Sequence, residues 1–308
     1  IYIGGGTPSS LKPNQLEALF KIISLLKRSD DCEFTFECNI TDITVSLLNI
    51  LYKNGVNRLS IGIESFNKDK LEFMKRSANL NDAIEKIKLC RKFNFNNISV
   101  DLIYALPFEN MKMLKEDLKG ILKLNVDHIS TYSLIVEDHT VVGINAAKAI
   151  PEDLEYEMYE YITDVLEVNK YHQYEISNFA KKGKKSRHNL TYWNNQEYYG
   201  FGLSASGFVD NVRYDNTRNL KKYIAGNTKE SASFISKKDN MDNEIMLGLR
   251  KLEGINIENF NKKYDIDIYK EYNIKQLLKS RDLKEKKGYI FINPEKLYIM
   301  NEILIKLV

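Results

Sequence analysis

The sequence predicts an α/β fold on a parallel sheet, followed by an accessory layer and a small C-terminal winged-helix-like domain. Three observations carry this. Over the first 135 residues, short β-rich runs alternate with amphipathic runs, the order that strand–helix–strand crossovers produce. After Pro151 the rhythm changes to one long helical run, then YEISNFAK, a basic loop and a Tyr/Asn-rich stretch to Arg218. From Met241 three helical runs precede LKEKKGYIFINP, which reads as a two-strand wing.

Five strands are expected, at Ile1–Ile3, Glu33–Glu37, Arg58–Ile63, Ile98–Ile103 and His128–Ser133. Between them Pro13–Lys27, Thr41–Asn54, Leu80–Phe93 and Met111–Leu124 repeat apolar residues every three or four positions, as Ala83, Ile84, Ile87 and Leu89 do, and form the covering helices. A further helix is expected from about Pro151 to Lys170. The domains are expected at 1–150 for the sheet core, 151–230 for the accessory layer and 241–308 for the C-terminal domain. The polar, Ser/Lys-rich stretch Thr228–Asn240 separates the last two.

Composition narrows the function classes. Lys and Arg number 45 against 42 Asp and Glu, a net charge of +3 in 308 residues, which gives no field suited to nucleic acid or an anionic membrane as main partner. No apolar run reaches the roughly 18 to 20 residues of a membrane helix. The opening IYIGGGTPSS has neither a basic leader nor an initiator Met, so a cytoplasmic chain cut at its beginning is expected. Cys32, Cys38 and Cys90 lack C-x-x-C spacing, so reduced thiols are expected and no complete metal site is visible. His128, His139 and His172 have no metal-ligand spacing either and read as structural or solvated.

In such sheets the polar groups that do chemistry collect beyond the carboxyl ends of the strands. Here Gly4, Gly5 and Gly6 follow the first strand with Thr7-Pro8 behind them, Glu37 ends the second, Glu64 follows the third, and Asp101 lies in the fourth. The glycines are either a tight turn or a place where backbone must approach a ligand; a nucleotide P-loop is excluded because no Lys-Ser/Thr follows. Any one of the three acids alone reads as a solvated strand end. Asp101 fits that least, because VDLIY sets a carboxylate in a run expected to be buried on both faces, where it needs a partner. Arg76 is the candidate, either as that partner or as a clamp for a ligand carboxylate.

IYIGGGTPSSL, FTFECN, NRLSIGIESFN, the Arg of MKRS, ISVDLIYALP and ISTYSLI stand in register with the core of radical S-adenosylmethionine enzymes. The chain resembles the oxygen-independent coproporphyrinogen III oxidase-like group of that family. The resemblance implies a partial (β/α)6 barrel lacking its first β/α unit. It implies S-adenosylmethionine as cofactor, with the Gly4–Gly6 loop and Thr7 at the methionyl ammonium, Glu37 fixing the amino-acid end and Arg76 on the methionyl carboxylate. Glu64 and Asp101 would bind ribose hydroxyls, and backbone around Ser133–Ile135 would border the adenine. It further implies a [4Fe–4S] cluster, which reduces the sulfonium, on a C-x3-C-x2-C run absent from this chain. That run is expected within roughly 40 to 60 preceding residues, one β/α unit and its loop. Without it, radical chemistry is not expected.

QYEISNFAKKGKKSRHNLTYWNNQEYYGFGLSASGF, with His188-Asn189-Leu190-Thr191-Tyr192-Trp193, resembles the HemW-type haem-chaperone branch and its H-N-x-x-Y-W motif. This implies haem or porphyrin as cargo, a haem-accepting protein and an electron donor as partners, and His188 as the haem-binding candidate. The alternative for His188 is a structural side chain satisfying buried backbone groups. Departures from the family pattern include Glu64 for Gln, Cys38 and Ile40 within E-A-N-P, Ala78 for His, Ala105 for the Gly of IYGLP, and Ser206 for a His. Two other functions stay open: oxygen-independent coproporphyrinogen III dehydrogenation, and a nucleic-acid-binding protein using the winged tail, against which the near-neutral charge argues.

Overall fold

The structure is a computed structural model and describes residues 1–134 and 149–307. The chain forms two compact units, Ile1–Gln173 with Ser177–Lys185, and Tyr174–Ile176 with Ser186–Val308. The residues expected as an accessory layer are thus shared between the two. Ile135 and His139 lie outside the described residues.

The first unit carries β1 (Tyr2–Ile3), β2 (Thr35–Asn39), β3 (Arg58–Glu64), β4 (Ile98–Tyr104) and β5 (His128–Ser133), paired in parallel in that order, with β7 (Asn178–Ala180) antiparallel to β5; the first two residues of β6 (His172–Glu175) also belong to this unit. Between them run α1 (Pro13–Ile23), α2 (Val45–Lys53), α3 (Lys68–Phe73), α4 (Leu80–Lys92) and α5 (Met111–Lys123), followed by α6 (Glu152–Val168). Asn side chains cap the starts of α3, α4 and α5, at Asn67, Asn79 and Asn110, each accepting from two amides of the first turn. Thr44 caps α2 by accepting from the Leu47 amide, after a short 3-10 turn at Ile40–Asp42, so that helix starts later than Thr41. Helix α1 stops at Ile23 rather than Lys27, the chain going on in turns whose Leu25 and Leu26 amides bond three residues back and whose side chains remain exposed.

Register sorts the sheet into two faces. Phe36, Leu59 and Ile61, with Ile98, Val100 and Ile129, are fully buried on the helix-covered side. Because side chains alternate along a strand, the other face is polar in rows across the sheet: Glu37–Ser60–Ser99–His128, then Asn39–Gly62–Asp101–Ser130. Strand β2 therefore continues two residues past Glu37. That carboxylate projects from mid-strand instead of ending it. His128 is buried in this face with Nδ1 2.7 Å from Ser99 Oγ, and burial pushes its pKa well below the ordinary value. His172 instead pairs at the surface with Glu167, 2.8 Å away.

Two strand exits take left-handed backbone without glycine, Glu64 at φ 68° and Ala105 at φ 63°. For an L-residue that conformation costs about 1 to 2 kcal/mol. Ala105→Gly is therefore expected to raise stability by about 1 kcal/mol in urea unfolding; an unchanged or lowered midpoint would contradict the strain at this turn.

The second unit contains α7 (Arg187–Trp193), the antiparallel sheet of β8 (Ser206–Val209), β9 (Val212–Asn216) and β10 (Lys229–Phe234), and the short α8 (Leu220–Ile224). Its C-terminal part has α9 (Lys237–Gly248), β11 (Ile255–Asn256), α10 (Ile257–Tyr264), α11 (Ile268–Glu271), α12 (Ile274–Lys279), β12 (Leu283–Lys286), β13 (Tyr289–Ile292) and α13 (Met300–Ile305). The wing is three strands in the order β11-β13-β12, packed on a core that includes Ile245, Phe260, Ile274 and Ile290. Gly254 admits the close approach of β13, since a side chain there would meet the Ile290 carbonyl.

Candidate functional site

At the carboxyl ends of β1 to β4 a cleft of about 200 Å³ is lined by Gly6, Thr7, Glu37, Glu64, Arg76 and Asp101, together with Cys38, Asn39, Ser60 and Gly62. Six residues singled out from the sequence thus meet in one place.

Each is held by local structure. Gly5 and Gly6 adopt φ 74° and 73°, which glycine alone takes without strain. Gly4 is needed for space, because a Cβ there would lie 2.6 Å from the Glu37 carboxyl carbon and 2.5 Å from the Tyr2 ring. Glu37 ties the loop to the strand: Tyr2 Oη donates to its Oε1 at 2.5 Å and the Gly5 amide to its Oε2 at 2.9 Å. Burial and the Glu37 carboxylate hold the Tyr2 hydroxyl protonated far above the ordinary range. Tyr2 and this tie to the Gly5 amide escape sequence reasoning, which sees the glutamate without its partners.

Arg76 follows α3, its amide donating to the Leu71 carbonyl, and its Nε lies 3.0 Å from Glu64 Oε2. Its partner is therefore Glu64 and not Asp101. The Arg76 side chain is 46% exposed against 13% for Glu64, which leaves much of the guanidinium open to the cleft. Burial pushes the Glu64 carboxyl up, with Arg76 opposing. Asp101, half-buried, takes a hydrogen bond from Ser130, its neighbour across the sheet. Its carboxyl is pushed up to about 7, first by burial and then by the charges of Glu37 and Glu64, against the Ser130 hydrogen bond and the Arg58 charge. A cleft lined by three acidic side chains and one arginine favours a ligand that carries positive charge beside a carboxylate.

The radical SAM superfamily model matches residues 1–121, the segment that holds every residue of the cleft. The chain is 40% identical over 280 residues to the heme chaperone HemW of Lactococcus lactis subsp. lactis (strain IL1403), covering 88% of this chain and 74% of that protein. The chain belongs to the HemW heme chaperone family. The heme chaperone HemW of Bacillus subtilis (strain 168) is likewise 40% identical, over 275 residues that cover 86% of this chain and 73% of the relative. Coproporphyrinogen III oxidase (HemN) from Escherichia coli superposes with a TM-score of 0.85 over 99% of this chain and 76% of its own, at 19% identity, and so shares the fold.

Membership of the radical SAM superfamily implies S-adenosylmethionine and a [4Fe–4S] cluster. The donor set of the cleft fits the first, whose ammonium and sulfonium suit the carboxylates and whose carboxylate suits the open edge of Arg76. The cluster has no such set: among the described residues no three His, Cys, Asp or Glu are placed to hold a metal ion, and Cys32, Cys38 and Cys90 are unbridged thiols. Cys38 and Cys90 are buried, and burial raises the pKa of both.

In the HemW motif, Arg187–Trp193 forms α7, and Ser186, fully buried, caps it by accepting from the Asn189 amide at 3.2 Å. The half-buried His188 ring meets Tyr192 edge-on at 4.8 Å, and Tyr192 meets Tyr198 in the same way at 4.6 Å. At the far end Arg250 lies over the Trp193 ring at 6.0 Å. Ser206 donates to Asp215 on β9 at 2.5 Å. No described helix is long and apolar enough to cross a membrane.

Proposed function

We propose that this chain is a haem chaperone that takes haem at the His188 segment, binds S-adenosylmethionine in the cleft, and hands haem to an acceptor protein. The observation that carries the cargo assignment is the geometry of α7. An imidazole stands half-buried at the end of an edge-to-face aromatic series, His188–Tyr192–Tyr198, and so joins a potential iron ligand to rings that pack on a porphyrin face. The relatives named as heme chaperones support the same reading.

In the cleft the chain's own residues bind and orient. Arg76 takes the methionyl carboxylate, the Gly4–Gly6 loop held by Glu37 receives the ammonium, and Glu64 and Asp101 accept from ribose hydroxyls. S-adenosylmethionine supplies the sulfonium and the adenosyl group. Three unbridged thiols accord with residence in a reducing cytoplasm.

Loading with haem followed by gel filtration tests the reading: haem is expected to co-elute stoichiometrically with the chain. Failure to retain haem, combined with conversion of coproporphyrinogen III to protoporphyrinogen by the cluster-reconstituted full-length protein in the presence of S-adenosylmethionine and reductant, would establish the dehydrogenase instead.

A further inference from the structure

Beside the cleft lies an ion cluster with no part in the roles above. Lys70 on α3, Glu109 after β4 and Asp117 on α5 are all buried. Lys70 Nζ stands 2.6 Å from Glu109 Oε1 and 2.9 Å from Asp117 Oδ2, and donates to the Ile103 carbonyl at 2.9 Å. Taking three charges out of water is costly, and packed apolar side chains of similar volume commonly serve stability as well. The remaining contacts of the carboxylates point to another use. Asp117 Oδ1 accepts from the amides of Phe66 at 2.7 Å and Asn67 at 3.2 Å, and its Oδ2 accepts from Ser65 Oγ at 2.6 Å. Glu109 Oε2 accepts from the Leu106 amide at 3.1 Å.

Those groups are the backbone that immediately follows Glu64 and Ala105, the two left-handed strand exits. Strained conformations persist where the surroundings over-determine them. Here one lysine, through two carboxylates, fixes the residues behind both. It also sits on the helix whose end holds the Arg76 amide, so the Glu64–Arg76 pair is set from both sides.

We propose that Lys70 is a positioning residue, which with Glu109 and Asp117 clamps the exits of β3 and β4 so that Glu64 and Arg76 face the cleft ligand in fixed geometry. This rests on the reading of the cleft as an S-adenosylmethionine site, and the test separates the two. Lys70→Met keeps an unbranched side chain one atom shorter and removes its charge; Glu109→Gln, which keeps the volume, serves if the first variant does not fold.

Two readouts are taken on the full chain. By hydrogen exchange, the Phe66, Asn67 and Leu106 amides are expected to exchange about tenfold faster or more in the variant, beyond any change at β2 and α4. By calorimetry, S-adenosylmethionine affinity is expected to fall about tenfold, with a smaller further fall when the substitution is made in an Arg76→Ala background and with partial recovery on adding Ala105→Gly. Exchange at the three amides that merely follows the global change would overturn the proposal. So would unchanged affinity, or losses that add independently to that of Arg76→Ala. Wild-type protein that binds no S-adenosylmethionine while the local exchange still accelerates would overturn the ligand assignment and support the clamp.

Discussion

Arg76→Ala is expected to lower S-adenosylmethionine affinity by about 1.5 to 3 kcal/mol, on the order of 10- to 150-fold, while leaving the unfolding midpoint nearly unchanged. The two effects separate because the guanidinium is 46% exposed, and a pair as open as Arg76–Glu64 contributes little to folding. Its free edge would be fully used only by a ligand carboxylate. Arg76→Lys keeps the charge and loses the fork, so its affinity should fall between the two. Equal affinities for wild type and Arg76→Ala by calorimetry would remove Arg76 from the ligand and with it the orientation of the methionyl end.

Asp101→Asn is expected to raise stability at neutral and alkaline pH. The carboxyl is pushed up to about 7 in the folded chain, against ~3.9 in an unfolded one. Between those values the folded state holds a proton that the unfolded chain has released, so stability falls as pH rises through the window, by at most ~1.4 kcal/mol per pH unit. The penalty is complete above about pH 7. Glu64, also raised by burial, contributes with the same sign and remains in the variant. Asp101→Asn should therefore exceed wild type by up to ~4 kcal/mol at pH 8 and converge with it near pH 4. Parallel stability curves over that range would contradict the raised carboxyl. A cationic ligand favours the ionised form, so wild-type affinity should increase from pH 6 to pH 8 and the variant's should increase less.

The parts of the site legible in the sequence are those written into a single strand or turn. FTFECN and RLSIGIE alternate in period two, and ISVDLIY alternates around Asp101; that alternation places Glu37, Ser60 and Asp101 on one face. The expectation that Asp101 is buried among apolar residues on both sides overlooked it, since the inner face of this sheet is a polar one. The glycine run announced a backbone approach, and the structure adds that Gly4 serves space while Gly5 and Gly6 serve φ. Long-range partners were illegible. Lys70, in NKDKLEF, has the look of a solvated helix face and is fully buried, because Glu109 and Asp117, 39 and 47 residues on, come back to it through the β4 crossover. Tyr2 and Ser130 are ordinary strand residues until register puts them beside Glu37 and Asp101. The division of the chain near Tyr174 and Ser186 has no compositional mark at all.

The central claim, that the H-N-x-x-Y-W helix presents a haem ligand, is tested most directly by the absorption spectrum and melting temperature of haem-loaded wild type and His188→Ala measured side by side. The account predicts a shifted Soret band and weaker haem retention in the variant, with a melting temperature close to wild type, because a ligand role puts the weight of His188 on the iron. An unchanged Soret band together with a stability loss of about 1 to 3 kcal/mol would contradict it, and would make His188 a packing residue of α7.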